Sequence, residues 1–462
     1  MTYEDFLKQK TTITPAAGIT VSKDDINPQL FDFQRDIVRW SLKKGRSAIF
    51  AGCGLGKTPM QLAWAQHVHQ QTQGDVLILA PLAVASQTVQ EGKKFGIEVN
   101  LCRKQADINH GLNITNYEML QHFEPSAFAG IVLDESSILK AYDGKTRNDI
   151  INAFGKTPFR LACTATPAPN DHMELGNHAE FLGVMTRAEM LSMFFVHDGG
   201  NTSKWRLKGH AVERYWEWVA SWAVMMQKPS DLGYDDGEFI LPELRIHQIT
   251  LDLGKPAEGA LFPIVAETLQ ERQRARSITV QERAAKCAEI ANNLNEPMIS
   301  WCNLNSESEE LTRQIEGAVE IRGSQPPEQK ESRMTGFTQG EFLKLVTKPS
   351  IAGFGMNWQH CSKMAFVGLS DSFEEYYQAV RRCWRFGQDE PVDVFVITAD
   401  TEGAVVDNIK RKEADFEEML NGMISATQEI TKHNIKETVR DTSEYNPLVE
   451  MALPEWLKGV AA

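Results

Sequence analysis

The run AGCGLGKT at residues 51–58 is a glycine-rich loop that ends in Lys-Thr, placed between an apolar strand-like run and a helix-like run. Such a loop presents backbone N–H groups and a helix N-terminus to phosphate. We predict that Gly54 and Gly56 shape this loop. Lys57 is expected to reach the β- and γ-phosphates, and the Thr58 hydroxyl is expected to reach Mg²⁺. The loop predicts a nucleotide site and leaves its use open.

A second chemical element is GIVLDESS at residues 130–137, a hydrophobic strand that ends in two acids. The strand tip is expected to place Asp134 across from the phosphate loop, where its carboxylate can hold Mg²⁺. Glu135 is then placed to orient and deprotonate an attacking water. Two acids in a solvated turn are the simpler explanation for an isolated pair, but the phosphate loop upstream favours the catalytic interpretation.

A third element, QAVRRCWRFGQ at residues 378–388, carries paired arginines. Arg382 and Arg385 are three positions apart on a predicted helix, so they are expected to share one face. Two guanidinium groups outside the block that holds the phosphate loop can supply transition-state charge from across a cleft. Taken alone, this run would be read as a basic helix face.

The elements that must position these groups alternate short β-branched runs with amphipathic helical stretches, which is the pattern of a parallel sheet wrapped by helices. The predicted strands form two sets, 47–50, 76–80, 97–101, 131–133 and 159–163, then 298–301, 319–322, 342–346, 364–367 and 392–397. Two α/β blocks follow from this pattern. Between them we predict a helical, Trp-rich stretch, and the alternating run 244–253 begins the second block.

In order along the chain, these elements resemble the motifs of superfamily-two helicases and translocases, above all the Swi/Snf-like DNA-dependent ATPases. The resemblance runs from about residue 28 to 415. LFDFQRDIVRW (30–40) resembles the family's adenine-reading segment, with Gln34 as the purine contact. CTATPAPNDHMEL (163–175) resembles the segment that links nucleotide state to lobe movement, which gives Thr164 and Thr166 a coupling role.

Further motifs extend the resemblance into both blocks. Residues 77–95 and 114–120 resemble the segments that touch the nucleic-acid backbone. AGFGMNW (352–358) resembles a glycine motif that places Gly355 and Asn357 near both ligands. The family string Q-A-x-x-R-x-x-R-x-G-Q is matched at every specified position, with Gln378 as a third coupling residue.

Three of the motifs depart from the family's pattern. Ala51-Gly52 replaces an acidic pair before the phosphate loop, Ser137 is the fourth residue of the Asp-Glu-Ala-His box, and Ala352 replaces a glycine. Ser137 can donate a hydrogen bond but cannot ionise, so the coupling route through this box is expected to differ. The short insertions make the chain more similar to compact phage or prophage helicases than to chromatin remodellers.

The resemblance implies an α/β fold of two tandem RecA-like lobes, parallel sheets flanked by helices, with a cleft between them. The expected organisation is an N-terminal extension (1–27), lobe 1 (28–240) with a helical insertion over about 172–228, lobe 2 (241–420) with a helical insertion over about 257–294, and a C-terminal helical tail (421–462). ATP and Mg²⁺ are the implied cofactors, held between the lobes.

Composition and charge restrict which binding sites and which cellular location we expect for this protein. The formal net charge of −14 argues against a broad basic surface for nucleic acid but leaves room for a narrow groove. The seven cysteines are scattered singly and the histidines show no metal-binding spacing, so we expect neither disulfides nor a structural zinc. The chain shows no signal sequence and no apolar run long enough for a membrane span, so we expect a cytoplasmic protein, in the host cytoplasm if phage-encoded.

The resemblance favours an ATP-dependent DNA helicase or translocase that moves along or remodels duplex or branched DNA, with DNA preferred to RNA. An RNA-dependent ATPase is one alternative. Another is a nucleotide-gated scaffold that recruits a nuclease or a replication protein. Two locally basic segments, 204–214 and 270–286, are either solvated helix faces or nucleic-acid contacts. Trp218 and Trp222 fit the packing face of a helix better than a base-stacking surface.

Overall fold

The computed structural model describes residues 14, 16–81, 84–142, 144–169, 171–198, 201–253, 276–353, 356–370, 372–400 and 403–436. Within these ranges the chain forms two α/β lobes, each built on a wholly parallel sheet, together with one antiparallel hairpin. Both lobes are therefore of the predicted fold class. Helices flank each sheet and bury the apolar strands between them, as all-parallel sheets require.

The first lobe takes up the chain to about residue 240. Its helices are α1 (Asp32–Lys44), α2 (Lys57–Thr72), α3 (Ala85–Lys94), α4 (Lys145–Phe154), α5 (Leu175–Leu182), α6 (Arg187–Phe194) and α7 (Val212–Ala220). Its strands are β1 (Arg46–Ala51), β2 (Asp75–Ala80), β3 (Val99–Leu101), β4 (Leu112–Asn116), β5 (Phe128–Asp134), β6 (Phe159–Thr164), β7 (Phe195–Asp198), β8 (Asn201–Leu207) and β9 (Ala223–Met226). The sheet order is β3-β4-β2-β5-β6-β1-β9, and β7 pairs with β8 as the hairpin.

The second lobe repeats this architecture. Its strands are β10 (Leu244–Leu251), β11 (Met298–Trp301), β12 (Ala318–Ile321), β13 (Lys344–Thr347), β14 (Lys363–Phe366) and β15 (Val392–Ala399). Its helices are α8 (Val280–Asn292), α9 (Asn305–Gln314), α10 (Pro327–Thr338), α11 (Pro349–Ala352), α12 (Phe373–Val380) and α13 (Gly403–Lys436). The sheet order is β10-β15-β14-β11-β13-β12, and every pairing is parallel.

Each predicted strand overlaps a strand of the structure, but the Trp-rich stretch 172–228 is not wholly helical. It contains the hairpin β7–β8 and the edge strand β9 as well as α5, α6 and α7. The four residues of β9 are all buried, and a short apolar run of this kind cannot be told from a helix segment by its periodicity. Trp218 and Trp222 are fully buried, which confirms their packing role.

The predicted helix over 257–294 lies in part outside the described residues, and its described part contains α8. Two arginines of the basic segment 270–286 fit neither of the expected interpretations, a solvated helix face or a nucleic-acid contact. Arg276 and Arg283 are 2% and 0% exposed, so they face the interior of lobe 2 rather than solvent or nucleic acid. Of the N-terminal extension, the first 13 residues lie outside the described part, as do residues 437–462 of the tail.

Helix α13 connects the two lobes. Near its beginning, Phe416 packs against Phe373 of α12, with ring centroids 5.3 Å apart. At its end, Ile435 belongs to the apolar core of lobe 1, and its carbonyl accepts a hydrogen bond of 2.9 Å from Arg39 of α1. The helix therefore packs on both lobes, whereas a tail that braces a single lobe would contact only one.

A buried ion pair organises the interior of lobe 2. Arg283 of α8 contacts Glu307 of α9 at 2.8 Å, and both side chains are 0% exposed. The other carboxylate oxygen of Glu307 accepts hydrogen bonds from the Asn303 and Leu304 N–H groups at 2.8 and 2.9 Å. Removal of one partner would leave a charge buried without its counter-ion, which is costly.

We therefore expect Arg283→Met to lower the free energy of unfolding of lobe 2 by about 3–5 kcal/mol. The matched control is Arg313→Met, which breaks the exposed pair with Glu310 on α9 and should cost less than about 1 kcal/mol. Denaturant unfolding, followed by hydrogen exchange in each lobe, measures both effects. Equal losses in the two variants would contradict the organising role of the buried pair.

Candidate nucleotide site and interlobe cleft

The chemical groups of lobe 1 meet because parallel strands end at one edge of their sheet. The phosphate loop follows β1, Asp134 ends β5 and is followed by Glu135, and Thr164 ends β6. These strands are neighbours in the order β5-β6-β1. The predicted residues therefore lie side by side at the carboxyl edge, which is where open α/β sheets bind ligands.

The phosphate loop has the backbone that a phosphate cradle requires. Gly54 and Gly56 have φ angles of +90° and +76°, which side chains other than glycine rarely tolerate. Gly56 is the N-cap of α2, so Lys57 and Thr58 occupy its first turn. Lys57 Nζ donates hydrogen bonds to the Ala51 and Gly52 carbonyls at 2.9 and 3.3 Å, which holds the ammonium group at the mouth of the loop.

Gln34 directly contacts this loop. Its Nε2 donates to the Leu55 carbonyl at 3.0 Å, and its Oε1 accepts from the Phe31 N–H at 3.0 Å. A methyl group added at Gly56 would meet Gln34 Nε2 at 2.3 Å. In this arrangement the amide nitrogen of Gln34 supports the loop and its oxygen caps the start of α1, so a purine contact by Gln34 requires one of these bonds to be exchanged.

The two acids at the carboxyl end of β5, Asp134 and Glu135, have different environments. Asp134 is buried, and its Oδ1 accepts from Gln61 Nε2 at 2.8 Å and from the Glu135 N–H at 3.1 Å. Burial, followed by the charge of Glu135, raises the pKa of Asp134 to about 6, while the Gln61 hydrogen bond and Lys57 oppose this shift. The Asp134 carboxyl group is thus ionised at neutral pH, and the positive charge near it does not fully compensate its negative charge. It can therefore attract a cation.

Glu135 adopts a left-handed backbone conformation with φ of +54°. Non-glycine residues occupy this region at a cost, and such strain is concentrated at functional sites. Thr164 Oγ1 donates a long hydrogen bond of 3.4 Å to Glu135 Oε2. The Glu135 side chain is half-buried and also lines the large cleft described below.

Two of the three predicted coupling residues, Thr164 and Thr166, lie beside these acids, whereas Gln378 lies in lobe 2. The Thr166 N–H donates to Thr164 Oγ1 at 3.1 Å. Ser136 Oγ lies 3.1 Å from Nε2 of His178 on α5, and burial lowers the pKa of His178 to about 4, so the ring is neutral. The serine that contacts the next motif is therefore Ser136, whereas Ser137 lines the cleft.

The paired arginines do not lie on a helix, which corrects the prediction. Helix α12 ends at Val380, and the following residues form turns that reach Gly387, where φ is +83°. The turns nevertheless bring both guanidinium groups to one atom. Arg382 Nη1 and Arg385 Nη1 donate to the Met356 carbonyl at 3.2 and 3.3 Å.

Arg382 and Gln378 form a buried pair inside lobe 2. Arg382 Nη2 donates to Gln378 Oε1 at 2.9 Å, and Arg382 is 3% exposed. Burial and the charge of Arg382 lower the pKa of Arg385 to about 10, while Cys53 and the carboxylates of Glu91 and Glu135 oppose the shift. Arg385 therefore stays protonated at neutral pH and lies within the electrostatic reach of the lobe 1 site.

The two lobes touch at the phosphate loop. A methyl group added at Gly54 would meet the Phe386 backbone nitrogen at 2.7 Å, and Cys53 Sγ lies 4.0 Å from Gln378 Oε1. The space beside the loop here is only about 40 Å³, far below the few hundred Å³ of a small-molecule site. A nucleotide can therefore enter only if lobe 2 moves away from the loop.

Two residues at this contact, Phe239 and Tyr377, lie outside the segments that the sequence motifs cover, and the others lie inside those segments without an assigned role. Phe239 stacks on Phe386 with centroids 4.7 Å apart, and Phe31 meets Phe239 edge-on at 4.9 Å. Tyr377 and Arg381 also line the space beside the loop. The aromatic residues come from three distant parts of the chain, so only tertiary structure brings them together. Gly355, a predicted ligand contact, lies outside the described residues.

A much larger cleft, of about 860 Å³, lies between the lobes on the other side of Glu135. Lobe 1 contributes residues that follow β2, β4 and β5, and lobe 2 contributes α10 and the segments around Ile351 and Asn357. Its charged side chains are balanced, with the bases Lys94, Arg103, Lys140 and Lys330 and the acids Glu118, Glu135, Glu331 and Glu374. Lys140 and Glu374 form an ion pair that links the two lobes.

Several polar atoms in this cleft have no protein partner. Among the described residues, Gln87 Oε1, Thr115 Oγ1, Asn116 Oδ1 and Asn357 Oδ1 are buried and lack a hydrogen bond, and all four residues line the cleft. Buried polar groups are nearly always satisfied in folded proteins. Rotation of these side chains toward the cleft would offer the groups to a polar ligand that lies along it.

The donor set at the phosphate loop fits a nucleoside triphosphate with Mg²⁺. The loop supplies N–H groups at a helix N-terminus, and Lys57 supplies a cation at its mouth. Thr58 and Asp134 are oxygen ligands of the kind that Mg²⁺ prefers. All of these groups lie on neighbouring segments at one sheet edge.

Comparison with known proteins identifies a family match within the second lobe. Residues 282–387 match the family model described as the helicase conserved C-terminal domain. No curated protein matches the chain. Among solved structures, the chain is similar to the SWI2/SNF2 ATPase core of Sulfolobus solfataricus in complex with dsDNA, with 16% identity, a TM-score of 0.43, and coverage of 91% of this chain and 98% of that chain.

The structure thus defines a two-lobed α/β protein, and the family match confirms the predicted helicase resemblance through its second lobe. The matched range contains β11–β14 and ends at Gly387, so it includes both Arg382 and Arg385. The similarity to the Sulfolobus core is too weak to bear on function. None of the described helices is long and apolar enough to cross a membrane.

The raised pKa of Asp134 has a measurable consequence for stability. A carboxyl group with a folded-state pKa above its ordinary value favours folding when protonated, and this contribution is lost as pH rises through about 6. Asp134→Asn keeps the side-chain shape without the buried charge. Without Mg²⁺ or nucleotide, we expect Asp134→Asn to melt at a higher temperature than the native protein at pH 8, with the difference shrinking toward pH 4. A lower melting temperature at pH 8 would refute the proposed burial cost.

Proposed function

We propose that this protein is an ATP-dependent DNA translocase of the Swi/Snf-like branch of superfamily-two helicases. The observation that carries the proposal is the position of Glu135, which lies at the interlobe phosphate site and also lines the large polar cleft. One residue thus borders both a site that fits a nucleotide and a groove that fits an extended polar ligand. The lobes are proposed to extend over 28–240 and 241–420.

The residues of the chain divide the work of hydrolysis between them. Lys57 and the loop N–H groups hold the β- and γ-phosphates, and Thr58 and Asp134 hold Mg²⁺, which neutralises phosphate charge when bound. Glu135 orients the attacking water and accepts its proton. Arg382 and Arg385 approach from lobe 2 to stabilise charge that develops on the transferred phosphoryl group.

Because the catalytic groups are divided between the two lobes, turnover requires the lobes to move. Because Phe386 packs against Gly54, nucleotide entry requires the lobes to separate there, and catalysis requires Arg385 to return. Arg382 must exchange its bonds to Gln378 and Met356 in order to reach a phosphate. Each turnover thus repacks Gln378, the predicted coupling residue, and moves the two walls of the cleft relative to one another.

We favour DNA over a small ligand as the occupant of the cleft. The cleft extends across both lobes and exposes amide and hydroxyl groups, and such groups commonly bind the nucleic-acid backbone. Its balanced charges agree with the acidic chain, since only a few phosphates need be neutralised. The Lys140–Glu374 pair between the lobes offers one cation that a phosphate could recruit.

The alternatives differ in what they require of the site. A nucleotide-gated scaffold for a nuclease or replication partner needs binding and movement but has no use for Glu135 and both arginines together. An RNA-dependent ATPase would use the same groups, because the cleft contacts proposed here are to the backbone. We favour movement along duplex or branched DNA over strand separation, and we assign the protein to the cytoplasm.

The proposal is tested by ATP turnover of the full chain, alone and with single-stranded, duplex or branched DNA and with RNA. We expect duplex or branched DNA to stimulate turnover most strongly, and higher salt to reduce the stimulation. Lys57→Ala and Glu135→Gln should lower turnover by a factor on the order of 10³ or more, by analogy with the loss of other groups at the transferred phosphate.

The matched control is Lys156→Ala, which removes an exposed lysine just before β6, at the opposite edge of the same sheet. It should retain the turnover and stimulation of the native protein. Turnover that ignores every nucleic acid would favour the scaffold, and stimulation by RNA alone would favour the RNA-dependent ATPase. Native-level turnover by Lys57→Ala would overturn the nucleotide site itself.

A further inference from the structure

Two histidines and an aspartate meet at the amino edge of the first sheet, away from the nucleotide site. His69 lies in the last turn of α2, Asp75 begins β2, and His110 lies just before β4. One ring nitrogen from each histidine and one oxygen of Asp75 lie within 4.8 Å of one another. His69 lies 12 residues after Lys57, the first residue of α2, so the cluster lies about 18 Å along this helix from the phosphate loop.

The hydrogen bonds of the two rings determine how each ring can bind a metal. His69 Nδ1 lies 2.8 Å from the Gly74 carbonyl, which can only accept, so Nδ1 carries the proton and the neutral ring keeps its lone pair on Nε2. Metal-binding histidines are oriented in this way, by a carbonyl at the second nitrogen. His110 Nδ1 lies 2.9 Å from Asp75 Oδ1, so an ion shared with Asp75 would bind at Nδ1 and replace the proton of this hydrogen bond.

The remaining contacts point His69 Nε2 toward the other two side chains. A methyl group added at Gly111 would lie 4.0 Å from His69 Nε2, and the rings of His69 and His110 meet edge-on with centroids 4.7 Å apart. Asp75 Oδ1 also accepts from the Gly111 N–H at 3.0 Å. Both of these carboxylate bonds use Oδ1, which leaves Oδ2 as the oxygen for an ion.

We propose that His69, Asp75 and His110 form a binding site for a transition-metal ion of the Zn²⁺ class. Two imidazoles and one carboxylate suit Zn²⁺ and select against Mg²⁺, which prefers oxygen ligands. Tetrahedral ligands of zinc lie roughly 3.3–3.5 Å apart, given metal–ligand distances of about 2.0–2.2 Å. The half-exposed ring of His110 can make the adjustment that this requires, and water completes the fourth position.

The ion would join three segments that the chain otherwise connects loosely at this edge. It would fix the carboxyl end of the helix that begins at the phosphate loop to the turns before β2 and β4. The negative end of the α2 dipole adds to the attraction for a cation. The expectation of no structural zinc rested on residue spacing, and a cluster assembled from residues 69, 75 and 110 has no spacing signature.

The site is tested by Zn²⁺ titration of the full chain, stripped of metal by a chelator and free of nucleotide, in competition with a chromophoric chelator. We expect one Zn²⁺ per chain to bind saturably at pH 7.5, with no displacement by a large excess of Mg²⁺. His69→Ala and His110→Ala should each weaken Zn²⁺ binding at least tenfold.

The control variant is His210→Ala, which removes an exposed histidine outside the cluster and should bind Zn²⁺ like the native protein. Zn²⁺ should raise the melting temperature of the native chain and of His210→Ala but not that of His110→Ala, which separates metal binding from misfolding. Absence of saturable binding, or equal affinity in the His69→Ala/His110→Ala double variant and the native chain, would overturn the proposal.

Discussion

The parallel direction of every strand in both sheets is the constraint on which the rest of the structure depends. Parallel strands place all their carboxyl ends at one edge, and both sheets present that edge to the space between the lobes. The phosphate loop, the Asp134–Glu135 pair and Thr164 are thereby neighbours, although they lie far apart in sequence. The same rule places Ile351, Asn357 and Glu374 of lobe 2 on the opposite wall.

Side-chain contacts between the lobes restrict how the two lobes can move relative to one another. The contact of Phe386 with Gly54 closes the phosphate site, and the Lys140–Glu374 pair links the walls of the larger cleft. Helix α13 packs on both lobes and so limits how far they can part. Since interfaces of packed side chains shift between discrete arrangements, we expect a ligand on one side of Glu135 to change the geometry on the other side.

Sequence reasoning recovered what is encoded locally and missed what depends on tertiary contacts. The phosphate loop and the acidic strand end could be predicted because Gly54, Gly56 and Asp134 belong to short patterns set by backbone chemistry. The helix expected for Arg382 and Arg385 ends earlier, and these side chains meet because both bond the Met356 carbonyl. Neither the aromatic contact of Phe239 with Phe386 nor the cluster around His69 has a spacing that a single sequence displays.

The central claim is that the nucleotide site and the polar cleft are coupled through the movement of two lobes. The most direct test uses the hydrolysis-deficient Glu135→Gln variant and measures the Kd of ATP with and without duplex DNA, and the Kd of duplex DNA with and without ATP. Linkage requires the two factors to be equal. Our account predicts that each ligand tightens the other by the same factor, about fivefold or more. An ATP affinity that is unchanged by saturating DNA would contradict it.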